Sequence, residues 1–149
     1  MRLLGLDYGT RRIGVAVSDE LAITAQSLCV IVRKTTAADL DKIAGIARER
    51  GVSAIVIGYP RRLDGTEGVE CERVMRFAGC LESRCGLPVI VWDERFTTRD
   101  AEALLLEADM SRKKRKKVID RVAAALILQG YMDSIKDTPT ASRTGDEDS

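Results

Sequence analysis

Arg2-Leu3-Leu4-Gly5-Leu6-Asp7, then Tyr8-Gly9-Thr10-Arg11-Arg12, then Ile13-Gly14-Val15-Ala16-Val17-Ser18, is the stretch of this 149-residue chain that decides its fold. A short apolar run ends in an acid, turn chemistry follows, and a second β-rich run begins at once. This reads as a β-hairpin. A third β-rich run over 28–32 leads to Thr36 as the N-cap of a helix ending near residue 50, with Leu40, Ile43, Ala44 and Ala47 on one face and Gly51 as its stop. Ala54-Ile55-Val56-Ile57-Gly58 is a continuous apolar strand of the kind a parallel sheet covers on both faces, and Pro60 ends it.

Farther out, a loop over 61–68 precedes a helix over 69–84, in which Val69, Val74, Phe77, Ala78 and Leu81 recur at helical spacing before Gly86. Val89-Ile90-Val91-Trp92 is the next buried strand, followed by Asp93-Glu94-Arg95. Thr97 or Thr98 caps a helix carrying Ala101, Leu104, Leu105 and Ala108. The last helix is expected over 118–135, with Ile119, Val122, Ala123, Leu126, Ile127 and Tyr131 as its buried stripe. The order β-β-β-α-β-α-β-α-α predicts an α/β fold in which helices flank a mixed five-stranded sheet, an arrangement that resembles the ribonuclease H-like one. One domain is expected over 1–136, with a disordered tail over 137–149, rich in Thr, Ser, Asp and Gly.

Apolar residues make up 45% and charged residues 32%, the balance of a soluble globular chain. No apolar run approaches the roughly 20 residues needed to cross a bilayer, and the N-terminal residues lack a signal-peptide layout. A cytoplasmic protein with no membrane partner is therefore expected. The absence of histidine removes Ser-His-Asp triads and HExxH zinc sites. Cys29, Cys71, Cys80 and Cys85 contain no CxxC pair and are expected in the core. Cys71 and Cys80 fall on opposite helix faces, which argues against a shared metal site.

The net charge of +1 conceals segregation, because Asp137, Asp146, Glu147 and Asp148 lie in the tail against Arg143 alone. The remaining 136 residues carry net +4, and Arg112, Lys113, Lys114, Arg115, Lys116 and Lys117 are consecutive. Such a run neutralises backbone phosphates and releases counterions when it meets nucleic acid, and it immediately precedes Asp120. A like-charge run also serves as a solvated connector. Arg11, Arg12, Arg61 and Arg62 would extend the block along one rim. Tyr8, Tyr59 and Trp92 are the few aromatics available for base stacking, so backbone and shape recognition is expected over sequence readout.

Ligands of α/β sheets gather at the carboxyl ends of strands, where Asp7, Asp93 and Glu94 stand. Asp120 opens the last helix, followed by Ala123, Ala124 and Ala125, small residues that permit close approach to its carboxylate. Converging acids repel unless a cation shares them, and hard oxygen ligands select Mg²⁺ or Mn²⁺. Two such ions about 4 Å apart suit in-line hydrolysis of a phosphodiester and need no histidine. Singly, each acid has a plainer reading: a turn former, an N-terminal helix charge at Asp120, or a surface pair of Asp93 with Arg95. Successive strand residues face opposite ways, so Asp93 and Glu94 are not both expected to face Asp7.

These residues resemble the YqgF/RuvX family of ribonuclease H-like proteins, whose names refer to pre-16S rRNA nucleases or Holliday junction resolvases. The resemblance rests on Leu6-Asp7-Tyr8-Gly9-Thr10-Arg11-Arg12-Ile13-Gly14-Val15-Ala16, on Gly58-Tyr59-Pro60 with Asp64-Gly65-Thr66-Glu67-Gly68, on Asp93-Glu94-Arg95-Phe96-Thr97-Thr98, and on Ile119-Asp120-Arg121-Val122-Ala123-Ala124 running to Ile127-Leu128-Gln129. It implies a metal-dependent nuclease with Asp7, Glu94 and Asp120 as carboxylate ligands and Asp93 in reserve. Arg95, Thr97 and Thr98 would then contact or position phosphate. It further implies trimming of the 5′ end of precursor 16S rRNA, with the small ribosomal subunit precursor as a partner, and junction DNA as the second substrate. Phe96 stands where a leucine is common, and Arg61-Arg62 makes that loop more basic than the family pattern. Ala123 and Ala124 provide no second acid one turn after Asp120, unlike the RuvC-type resolvases, which weakens transfer of junction resolution. A non-catalytic ribosome-assembly module and an actin-like nucleotide binder are the competing classes; the latter rests on Asp7-Tyr8-Gly9-Thr10 alone. The oligomeric state stays open.

Overall fold

The computed structural model describes residues 1–59, 68–93 and 112–136, with side chains 122–135 in the last segment. Residues 61–67 of the loop expected over 61–68, the helix capped by Thr97 or Thr98, and the tail over 137–149 lie outside the described residues. Strands β1 (Leu3–Tyr8), β2 (Arg12–Ser18) and β3 (Ala25–Val32) are followed by helix α1 (Thr36–Arg50), β4 (Ala54–Tyr59), α2 (Val69–Cys85), β5 (Val89–Asp93) and α3 (Arg112–Lys136). The five strands form one sheet in the order β3-β2-β1-β4-β5. β1 is antiparallel to β2 and β2 to β3, whereas β4 runs parallel to both β1 and β5. This is the mixed five-stranded arrangement expected from the element order.

Local chemistry accounts for the helix ends. Thr35, one residue before the expected cap, accepts the Ala38 N–H at 3.1 Å, and Gly51 takes a left-handed φ of 65° to close α1. In α2 the apolar stripe is Cys71, Val74, Phe77, Ala78 and Leu81, so Cys71 takes the place expected of Val69, which is 59% exposed. Cys71 is the one buried cysteine; Cys29 and Cys80 are exposed and Cys85 is half-buried, so the expectation of core cysteines holds only for Cys71.

Strand alternation divides the core into two layers. Leu4, Leu6, Ile55 and Ile57 pack with α1 and α2 on one face. Leu3, Ala16, Ala54 and Val56 pack with Ala124, Ile127, Leu128 and Met132 of α3 on the other. The buried stripe of α3 thus differs from the expected one: Val122, Ala123 and Leu126 are half-buried, while Ala124, Leu128 and Met132 are buried. The helix also begins six residues earlier than expected, so residues 112–117 form its first turns. Lys and Arg are good helix formers, and no Gly or Pro interrupts the run.

Candidate active site

Asp7 is the penultimate residue of β1, half-buried, at the carboxyl end of a strand whose neighbours on both sides are paired. Leu3 and Gly5 share its side of the strand, which places Asp7 on the face covered by α3. α3 comes unusually close there. A Cβ on Gly5 would lie 2.7 Å from the Leu128 Cβ and 2.9 Å from the Ala124 carbonyl oxygen, so only glycine admits the helix at this distance. Gly14, the cross-strand partner of Asp7, leaves open a volume in which a Cβ would meet both the Asp7 Cβ and the Ala124 Cβ at 3.6 Å. Ala124 of α3 therefore lies at this contact, beside the strand position of Asp7.

Asp93 lies elsewhere. It pairs with Tyr59 in the parallel β4–β5 ladder, and Tyr59, Val89 and Val91 belong to the α1/α2 layer. Trp92, one residue earlier, packs in the α3 layer with its ring 5.8 Å from that of Tyr131, edge to face. Burial in this layer pushes the Tyr131 hydroxyl pKa up. Asp93 and Asp7 thus sit on opposite faces of the sheet. Glu94 lies outside the described residues, as do Arg95, Thr97, Thr98, Arg61 and Arg62. Asp120 occupies a helical position one turn before Ala124 and eight residues after the first residue of α3. It does not open the helix, and its position is beyond the first turn to which the dipole effect is confined, which removes the reading of Asp120 as a helix N-terminal charge. The side chains of Asp120 and of Arg112, Lys113, Lys114, Arg115, Lys116 and Lys117 lie outside the described ones.

Arg11 and Arg12 are exposed at the β1–β2 tip that follows Asp7. The nearby aromatics are committed internally: Tyr8 stacks on Phe77 with centroids 4.2 Å apart, Tyr59 is buried, and Trp92 meets Tyr131. Two residues that the sequence reading passed over lie under the tip. The Arg33 guanidinium stands 4.5 Å over the Tyr8 ring and donates to the Gly9 and Thr10 carbonyls at 3.2 and 3.3 Å, and its Nε is 3.5 Å from Asp39 Oδ2. The available signal was Asp39 itself, an acid beside Leu40 on the apolar stripe of α1, where a charge requires a partner.

The donor chemistry at Asp7 suits a hard divalent cation: a carboxylate at a strand end, no histidine in the chain, and side-chain-free backbone at Gly14 beside it. Among the described residues no group of three His, Cys, Asp or Glu side chains converges as a metal centre, two of the expected ligands being outside them. No described helix is long and apolar enough to cross a membrane.

Residues 1–134 match the sequence family RuvX, described as Holliday junction resolvase. A curated relative from Syntrophus aciditrophicus, named "Putative pre-16S rRNA nuclease", is 55% identical over 135 residues, covering 91% of this chain and 90% of that one. A relative of the same name from Geobacillus kaustophilus is 52% identical, covering 90% of this chain and 99% of that one. Among solved structures, RuvC from Thermus thermophilus superposes with a TM-score of 0.55 at 15% identity, over 93% of this chain and 98% of that chain. This likeness establishes the ribonuclease H-like fold.

Proposed function

The chain belongs to the RuvX family, and from that premise we propose that it is a nuclease hydrolysing phosphodiester bonds, with the 5′ end of pre-16S rRNA as its substrate. The observation that carries this reading is Asp7, a half-buried carboxylate at the end of a central strand, beside α3. Asp7, Glu94 and Asp120 would hold Mg²⁺ or Mn²⁺, two ions in all. When bound, such cations would supply activation of water and stabilisation of the leaving oxygen. The chain's own part is to hold carboxylates on rigid elements: Asp7 on β1 between two paired strands, Asp120 on α3, which Gly5 lets dock tightly. Arg11, Arg12 and the run over 112–117 draw in the polyanion and orient its phosphates. Arg61, Arg62, Arg95, Thr97 and Thr98 contribute phosphate contacts. Asp93, on the opposite face from Asp7, is not a ligand in this reading. The hydrolysis leaves a 5′-phosphate and a 3′-hydroxyl. The reaction belongs to cytoplasmic ribosome biogenesis, with the small ribosomal subunit precursor as partner.

The name given to the family favours a second substrate, junction DNA. The test sets a precursor 16S 5′-leader RNA and a mobile four-way DNA junction side by side with Mn²⁺ or Mg²⁺, using wild type and Asp7→Asn. Cleavage of the RNA by wild type alone is expected. Preference for the junction transfers the activity to resolution, and equal cleavage by Asp7→Asn sinks the metal-carboxylate mechanism. Binding of the RNA without cleavage under any divalent ion favours an assembly module.

A further inference from the structure

Arg33 satisfies three successive carbonyls of the tip after Asp7. Its backbone N–H donates to Arg11 O at 2.9 Å, and its Nη1 donates to Gly9 O and Thr10 O at 3.2 and 3.3 Å. The Gly9 N–H closes the tip on Arg12 O at 2.9 Å. Asp39 holds the guanidinium from the other side. That carboxylate is buried at 1% exposure, is 3.5 Å from Arg33 Nε, and accepts the Lys34 N–H at 3.1 Å. A Lys ammonium has no fork with which to meet an acid and two carbonyls in fixed directions.

A charge pair with one partner buried and the other half-buried is an inefficient way to stabilise a hairpin, because desolvation of the acid offsets much of the attraction. What the pair accomplishes here is geometric. Arg11 and Arg12 are exposed and adjacent, immediately after the strand that carries Asp7, and mutual repulsion would otherwise let the tip wander. We infer that Arg33, anchored by Asp39, is a positioning residue that locks the tip over 9–12 so that Arg11 and Arg12 present their charges to substrate phosphates in one geometry. The inference rests on the nuclease reading for its substrate, but its mechanism concerns binding and can be measured without turnover.

The experiment is a double-mutant cycle. Affinity for the 5′-leader RNA is measured in EDTA at fixed salt for wild type, Arg33→Lys, Arg11→Ala/Arg12→Ala and the combination, with thermal denaturation of each. Arg33→Lys keeps a cation for Asp39 and is expected to fold, yet to bind roughly tenfold more weakly, within the range over which contacting residues couple. In the Arg11→Ala/Arg12→Ala background the same change is expected to cost nothing further. Amide hydrogen exchange at Gly9 should accelerate in Arg33→Lys while exchange in β4 stays unchanged. An equal loss of affinity in both backgrounds, no loss in either, or unchanged Gly9 exchange overturns the inference. Wild-type protein that binds RNA without cleaving it under Mn²⁺ or Mg²⁺ overturns the nuclease reading alone, the cycle in EDTA still deciding the role of Arg33. Wild-type protein that binds neither RNA nor four-way junction overturns both.

Discussion

Asp7 and Gly14 stand opposite each other in the β1–β2 ladder, and a Cβ at Gly14 would touch both the Asp7 Cβ and the Ala124 Cβ of α3, which puts the acid and the helix side by side on one face of the sheet. The geometry separates two glycines that look alike in sequence. A methyl group on Gly14 sits at ordinary contact distance, 3.6 Å, from its neighbours.

Gly14→Ala is accordingly expected to fold, with stability changed by less than about 1 kcal/mol. Gly5→Ala is expected to lose about 2 kcal/mol, because its Cβ meets Leu128 Cβ at 2.7 Å and backbone at 2.9 Å, forcing α3 off the sheet. Thermal denaturation of both variants reads the difference, and equal Tm values would contradict the docking described for α3.

Asp93 and Asp7 lie on opposite faces, so Asp93→Asn should retain cleavage within about threefold of wild type while Glu94→Gln and Asp7→Asn lose at least about a hundredfold, the scale of removing a group that acts on the transition state. Initial rates at saturating Mn²⁺ provide the comparison. The opposite ranking of the two neighbouring acids would make Asp93 the ligand.

The run over 112–117 occupies the first turns of α3 and is helical, unlike a disordered connector. Replacing Lys113, Lys114, Lys116 and Lys117 by Gln should weaken RNA and DNA binding alike and lower the slope of log affinity against log salt by about 0.7 to 0.9 per lost phosphate contact. Titrations at several salt concentrations measure it. An unchanged slope removes the run from the interface.

Asp19 orders the β2–β3 turn by accepting the Thr24 and Ile23 N–H groups at 3.0 and 2.7 Å, and these bonds hold its carboxyl below the ordinary value of 3.8. A carboxyl pKa depressed in the folded state contributes stability that is present above the unfolded value and disappears as pH falls through the folded one. Wild type should therefore exceed Asp19→Ala in Tm at neutral pH, with the gap closing as pH drops below 3.8. A gap independent of pH assigns the effect to the turn's packing instead.

Much of the architecture was legible because it is written in local chemistry. The hairpin around Tyr8–Arg12, the Gly51 and Gly86 stops, and the apolar runs before Tyr59 and Asp93 all appear where their residue types require. The errors have tertiary causes. The spacing places Val122, Ala123 and Leu126 beside Ile127 on the stripe of α3; Ile127 is buried, but the close approach at Gly5 and Gly14 makes Ala124 and Leu128 the contact in place of the other three. Helical spacing puts Val69 on the buried stripe of α2, whereas Val69 is exposed and Cys71 joins the core. Arg33 and Asp39 escaped notice because nothing in linear order joins residue 33 to the carbonyls of residues 9 and 10.

The sequence by itself determined that an acid stands near the end of the first strand, that histidine chemistry is absent, and that neighbouring residues within a strand face opposite ways, since a strand alternates with period two. Alternation, however, gives only relative orientation. Which face meets α3, and hence that Asp7 shares a side with Ala124 and Asp93 does not, was decided only in the tertiary structure, where the bare backbone at Gly5 lets the helix dock on one side of the sheet and the larger side chains of Leu4 and Leu6 fill the layer on the other.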